Sequence, residues 1–121
     1  IRELARNGHG LLLGSDAPQL FNVPGFSLQH EIAGMRRAGL SPVEILRMGT
    51  IYPARFFGQE DTWGSLDEGK AADIILLEKN PLKDSAFLGS QKGVMVRGVW
   101  YSKEDLENRL QEIAVHAAEM E

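Results

Sequence analysis

The sequence contains no cysteine, which excludes disulfides, thiolate metal sites and cysteine nucleophiles together and leaves the redox compartment unreadable. Histidine is scarce. His9, His30 and His116 are the only three, and no two stand two or four residues apart, so a two-histidine metal motif on one element is absent. Aromatics make up 7% of the chain and lack interleaved bases, which gives no stacking platform for single-stranded nucleic acid. No apolar run nears the roughly 18 residues that a membrane span requires. Positive charge is not in excess either. The net charge of -4 argues against a nucleic-acid or anionic-membrane partner. The negative charge is also local: Ser102 to Glu121 holds six acids and two bases, whereas residues 1 to 101 carry eleven of each.

What remains is a chain of 121 residues, 43% hydrophobic and 25% charged, the composition of one soluble globular domain. No signal-like stretch opens it. Ile1, Leu4 and Ala5 already follow helical spacing, so the chain is expected to begin inside a helix of a longer protein. That helix should stop at Asn7-Gly8. LLLGS (11–15) is a short apolar run bounded by Gly and by Asp-Ala-Pro, and predicts a strand buried on both faces. Residues 17–26 form a loop with two prolines. Ser27 is then the expected cap of a helix carrying Leu28, Ile32, Met35 and Leu40, closed by Gly39. Ser41, Pro42 and Glu44 spell a capping box for a helix with Val43, Ile45, Leu46 and Met48. A short helix over 51–57 ends at Gly58. Beyond it, ADIILLE (72–78) and VMVRGVWY (94–101) read as strands. Ser102 with Asp105 caps a last helix whose apolar stripe is Leu106, Leu110, Ile113 and Ala117. The order predicts an α/β strand–helix unit joined to a small β-rich region.

Asp16 is the leading candidate for chemistry. It ends an expected parallel strand, where α/β folds place their ligands, and a carboxylate there can bind a metal or act as a base. The alternative is that Asp16 only shapes the turn before Pro18. His30 lies near the loop after Asp16, and either faces a ligand or serves the helix. His9 lies at the far end of the expected strand and reads as structural, and His116 reads as solvated. Gly64-Ser-Leu-Asp-Glu-Gly69-Lys70 mimics the start of a phosphate-binding loop. Ala71 replaces the needed hydroxyl, a strand follows where a helix is required, and two acids occupy the loop. No serine elbow frames Ser15. The loop 17–26 carries Leu20, Phe21, Val23 and Phe26 and no charge. Phe21 is a candidate contact for a hydrophobic substrate group, unless Phe21 and Phe26 pack the loop onto the next helix.

LLLGSDAP (11–18), AGLSPVEILRMGTIYPARFFG (38–58) and WGSLDEGKAADIILLEKNPLKD (63–84) together resemble the C-terminal part of the amidohydrolase superfamily, closest to its imidazolonepropionase- and prolidase-like branch. The resemblance covers residues 1 to 101. It implies the C-terminal fragment of a metal-dependent (β/α)8 TIM barrel, with residues 1–58 as its last strand–helix unit. Residues 59–101 would be part of the attached β-sandwich and 102–121 a C-terminal helix. It also implies hydrolysis of an amide or cyclic amide C–N bond by metal-activated water, with Asp16 as metal ligand and proton shuttle.

The other ligands of such a site would lie before Ile1. The cofactor expected of the full-length enzyme is a divalent metal, zinc. This stretch alone, with one carboxylate, is expected to bind none and to be inactive. The partners expected are a small-molecule amide or dipeptide substrate and further copies of the chain, without nucleic acid or membrane. The other possibility is a non-catalytic barrel-derived module that associates with itself or a partner.

Overall fold

Helix placement in this computed structural model, which describes residues 1–119, follows the caps written in the sequence. Met120 and Glu121, the end of the helix expected over 102–121, lie outside the described residues. Helix α1 spans Arg2–Arg6 and ends at Asn7. Helix α2 spans Phe26–Arg37, α3 Pro42–Met48 and α4 Ile51–Phe56. At α3 the capping box forms as expected: the Glu44 N–H donates to Ser41 Oγ, and the Glu44 carboxylate accepts from the Ser41 N–H at 2.7 Å. At α2 the expectation needs correcting. Gly25 is the cap, and Ser27 sits one residue inside the helix, buried, its Oγ accepting the Val23 N–H at 2.8 Å. The hydroxyl thus ties the preceding loop to the helix instead of opening it.

Ile32, Met35, Leu40, Ile45 and Met48 form the buried core, with Leu11, Leu13, Leu28, Tyr52 and Leu88 packed around it. Ile45 is completely buried, a burial that stabilises by roughly 1.5–3 kcal/mol. The 3-10 helix Ser85–Gly89 packs on α2 and α3. An ion pair at 2.9 Å joins Arg36 of α2 to Asp84, the residue that caps this 3-10 helix. Both of its side chains stay well exposed, so it adds at most about 1 kcal/mol, and the apolar packing dominates.

The expected strand LLLGS is not a strand: residues 11–15 have no ladder partner among the described residues, although their burial alternates with the two-residue period of extended backbone. Burial alternates along it. Leu11, Leu13 and Ser15 are half-buried toward the helices, whereas Leu12 (40% exposed), Gly14 and Asp16 lie on the open side. One face is covered, not two.

The second half is a three-stranded antiparallel sheet in the order β1 (Ile74–Leu77), β2 (Gln91–Val96), β3 (Val99–Ser102). The run 94–101 is therefore a hairpin and not one strand. Its turn is Arg97-Gly98, both at positive φ, with the Asp73 carboxylate accepting the Arg97 N–H at 2.6 Å. Gly93 is required by its neighbour: a Cβ there would collide with the Trp100 ring, which lies across it from the adjacent strand. Gly64 (φ 97) likewise lets its loop press on α4, where a Cβ would meet Ala54 Cβ at 2.7 Å. Helix α5, Lys103–Ala118, starts from the expected Ser102–Asp105 capping box and packs against β2 and β3. Its stripe is only partly used. Leu106 is half-buried, but Leu110 and Ile113 are 51% and 65% exposed.

The Ser41 hydroxyl and backbone hold the Glu44 carboxyl below the usual carboxylate range. A depressed folded-state value contributes stability above the unfolded value, and that stability is lost as the pH falls through the folded one. Ser41→Ala is expected to cost about 1 kcal/mol at neutral pH. The deficit should shrink as the buffer is taken down through the carboxylate range, which denaturant melts at pH 7 and near pH 3 will measure.

Candidate functional site

Asp16 is set in place by the segment before it. The Leu13 N–H donates to the Met48 carbonyl at 2.9 Å, which pins the extended run to the C-terminal end of α3. Leu13 also packs closely on Gly49, where a Cβ would stand 3.1 Å from Leu13 Cδ2. Two residues beyond Gly14 the chain turns sharply: Asp16 has φ 53, and the Ala17–Pro18 bond is cis. Positive φ is uncommon for a residue other than glycine, though Asp tolerates it better than most.

The loop then folds back. The Asn22 N–H donates to the Gln19 carbonyl at 2.9 Å, closing a turn with Leu20 and Phe21 at its tip. The Asn22 side-chain amide donates to the Ser15 carbonyl at 3.2 Å, and Gln19 Nε2 donates to Asp16 Oδ2. Neither Gln19 nor Asn22 stood out in the sequence. Their spacing of three and six residues from Asp16, in a proline-containing loop, was the available signal.

Leu20 and Phe21 are 86% and 91% exposed, and Phe26 is 64% exposed. Phe21 has φ 65, a conformation that costs a bulky residue about 1–3 kcal/mol. Neither the Phe21 nor the Phe26 ring is buried among the described residues. His30 is exposed on α2 and makes no side-chain hydrogen bond to Asp16 among the described residues. His9 is exposed near an open cleft of about 540 Å³ walled by Leu11, Leu12, Met48, Tyr52 and Phe56, at the other end of the extended run from Asp16. His116 is exposed, with Nδ1 4.0 Å from Glu119.

The phosphate-loop mimic is closed on itself. Lys70 Nζ donates to the Glu60 carbonyl and to Ser65 Oγ, and pairs with Asp67 at 3.3 Å. Ser65 and Lys70 together hold the Asp67 carboxyl below its usual range. The ammonium is taken up by Ser65 and Asp67 of its own loop and by the Glu60 carbonyl just before it, which leaves it serving structure and not an anion.

A divalent metal suits oxygen donors. Asp16 offers one: its carboxylate is exposed, and Oδ1 accepts no hydrogen bond among the described residues. No group of three or more metal-ligating side chains occurs among those residues, so they do not by themselves make up a multi-ligand metal site. No helix there is long and apolar enough to cross a membrane.

Residues 1–101 match the family described as Amidohydrolase family. A provisionally named aminohydrolase of Methanothermobacter thermautotrophicus is 38% identical over 84 residues, covering 65% of this chain and 21% of that protein. A 5-methylthioadenosine/S-adenosylhomocysteine deaminase of Teredinibacter turnerae is 28% identical over 117 residues, 85% of this chain and 26% of its own length. Among solved structures, a Xaa-Pro dipeptidase with methionine bound in its active site superposes with a TM-score of 0.74 at 27% identity, covering 84% of this chain and 24% of that one. The chain therefore spans about a fifth to a quarter of the proteins it matches.

With no group of three or more metal-ligating side chains among the described residues, calorimetric titration of the 121-residue chain with zinc is expected to reveal no stoichiometric sub-micromolar site. Such a site would mean that separate copies pool their ligands.

Proposed function

Because the chain belongs to the amidohydrolase family, we propose that the whole protein is a hydrolase of carbon–nitrogen bonds in a small amide, cyclic amide or dipeptide, and that Asp16 is its metal ligand and proton shuttle. The observation that carries the assignment is the placement of Asp16. It ends an extended segment, on the exposed side of the burial alternation, with one carboxylate oxygen that accepts no hydrogen bond among the described residues. In a barrel whose helices lie outside, that face is the interior and that end is the mouth. Residues 1–58 are then the last strand–helix unit of a (β/α)8 barrel. The strands on either side of residues 11–15 come from the rest of the protein, which explains why this run is extended but unpaired. The three-stranded sheet is the returning part of a β-sandwich. The exposed stripe of α5 supports self-association of the whole protein.

A divalent metal bound there, zinc in this proposal, would lower the pKa of a water molecule and polarise the substrate carbonyl. Asp16 then does the proton work. Its carboxylate takes a proton from the attacking water and returns it to the leaving nitrogen, which departs as a neutral amine. The loop over 17–26 supplies the wall beside that exchange. Phe21, held outward at the tip, meets an apolar substrate group, and the strain it bears is offset when the ring leaves water. His30, exposed on the helix that the loop feeds, is a further candidate contact for the substrate. Its single exposed imidazole makes it a contact and not a ligand set.

Two experiments on the whole, metal-loaded enzyme test this assignment. Asp16→Asn keeps the shape but removes the base, and kcat should drop by roughly 10²–10⁴-fold. Near-normal turnover would sink the assignment. Phe21→Ala should change the ratio of kcat/KM between bulky and small apolar substrates by roughly 10-fold, since one apolar contact is worth about 1–3 kcal/mol. Its melting temperature should hold or rise, because the ring packs against nothing and alanine bears the positive φ with less crowding. Unchanged substrate ranking would move the pocket elsewhere.

A further inference from the structure

An exposed aspartate at a sharp turn is free to rotate among several staggered side-chain positions. A group that ligates and shuttles protons must instead be held to within roughly half an ångström and 10–20°. Something has to choose one orientation for Asp16, and the only side chain that hydrogen-bonds it among the described residues is Gln19. We infer that Gln19 is a positioning residue: its amide fixes the rotation of the Asp16 carboxylate, engages Oδ2, and leaves Oδ1 for the reacting centre. The inference rests on the assignment of Asp16 made above.

Gln19 can do this because it is itself held. Its backbone carbonyl accepts the Asn22 N–H at 2.9 Å, and the Asn22 side chain reaches back to the Ser15 carbonyl at 3.2 Å. The loop is thereby closed on both sides of Asp16, through Ser15 before it and Gln19 after it. The donor's chemistry matters as well. A lysine or arginine in the same place would pair with the carboxylate and hold its pKa down, which weakens it as a base. A neutral amide orients the group and leaves its charge to the reaction. Glutamine has the length to span three residues back, and its side-chain amide supplies the N–H donor that a carboxylate accepts.

The test uses the whole protein loaded with its metal, and the variants Gln19→Leu and Gln19→Met, which keep the bulk and lose the donor. Loss of a group that orients a metal ligand costs about 10–100-fold in metal affinity or activity. Both variants should lower kcat by that factor with KM changed by less than about two-fold. Metal retention during dialysis against a chelator should weaken by about 10-fold, while the melting temperature of the metal-free protein stays put. Added to Asp16→Asn, the same change should lower neither metal retention nor rate further, because Gln19 acts only through Asp16.

Wild-type kcat and metal retention in both variants would overturn the inference. A rise in KM alone would overturn it too, by making Gln19 a substrate contact, as would a full additional loss on the Asp16→Asn background. An active Asp16→Asn enzyme removes the catalytic assignment itself. An inactive Asp16→Asn with a normal Gln19→Leu removes only the positioning role.

Discussion

The hydrogen bond from the Leu13 amide to the Met48 carbonyl is the joint on which the rest of the molecule depends. It crosses from an extended segment to the end of a helix, and apolar contacts of Leu11 and Leu13 with the core surround it. Alone it would contribute only about 1 kcal/mol. Its importance is geometric. It fixes which residues of the run face the helices, and a slip of one residue would exchange Leu13 with Leu12 and turn Asp16 inward. Ile45 at the centre of the core and the cap at Ser41 make that joint firm, because they settle where α3 ends.

From that joint onward the chain trades stability for placement. The turn at Asp16 and the tip at Phe21 both hold non-glycine residues at positive φ, and Phe21 gains no packing in return. Two side-chain amides, Gln19 and Asn22, retain the loop. The strained loop stands beside a carboxylate of which one oxygen is held by Gln19 and the other accepts no hydrogen bond among the described residues.

The sequence was most legible where one local signal decides the outcome. Ser41-Pro-x-Glu and Ser102 with Asp105 each contain their own hydrogen-bonding partners, and both boxes form. The stripe Leu28, Ile32, Met35 and Leu40 likewise faces inward, from half-buried to buried. Legibility failed where the deciding partner is distant. LLLGS has strand chemistry but no neighbour to pair with among the described residues, so it is extended and uncovered on one side. Ser27 has cap chemistry, yet Gly25 adopts the turn and frees the hydroxyl to bind Val23. Gly98 breaks 94–101 into two strands because Asp73, more than twenty residues earlier, caps the turn. For the site, Asp16 and Phe21 were visible as residue types in a suggestive place. The amides that hold them were not, since a glutamine's value lies in what it reaches.

The indole lying across Gly93 gives the protein an internal optical gauge. The chain has two tryptophans. Trp63 is half-buried with its N–H donated to Gln59 Oε1 at 2.7 Å, whereas Trp100 is 44% exposed on the sheet. Indole emission shifts toward shorter wavelength as water leaves the ring. Covering the Trp100 face of the sheet, by another part of the protein or by a second copy, would therefore change the colour of one fluorophore and leave the other as its reference.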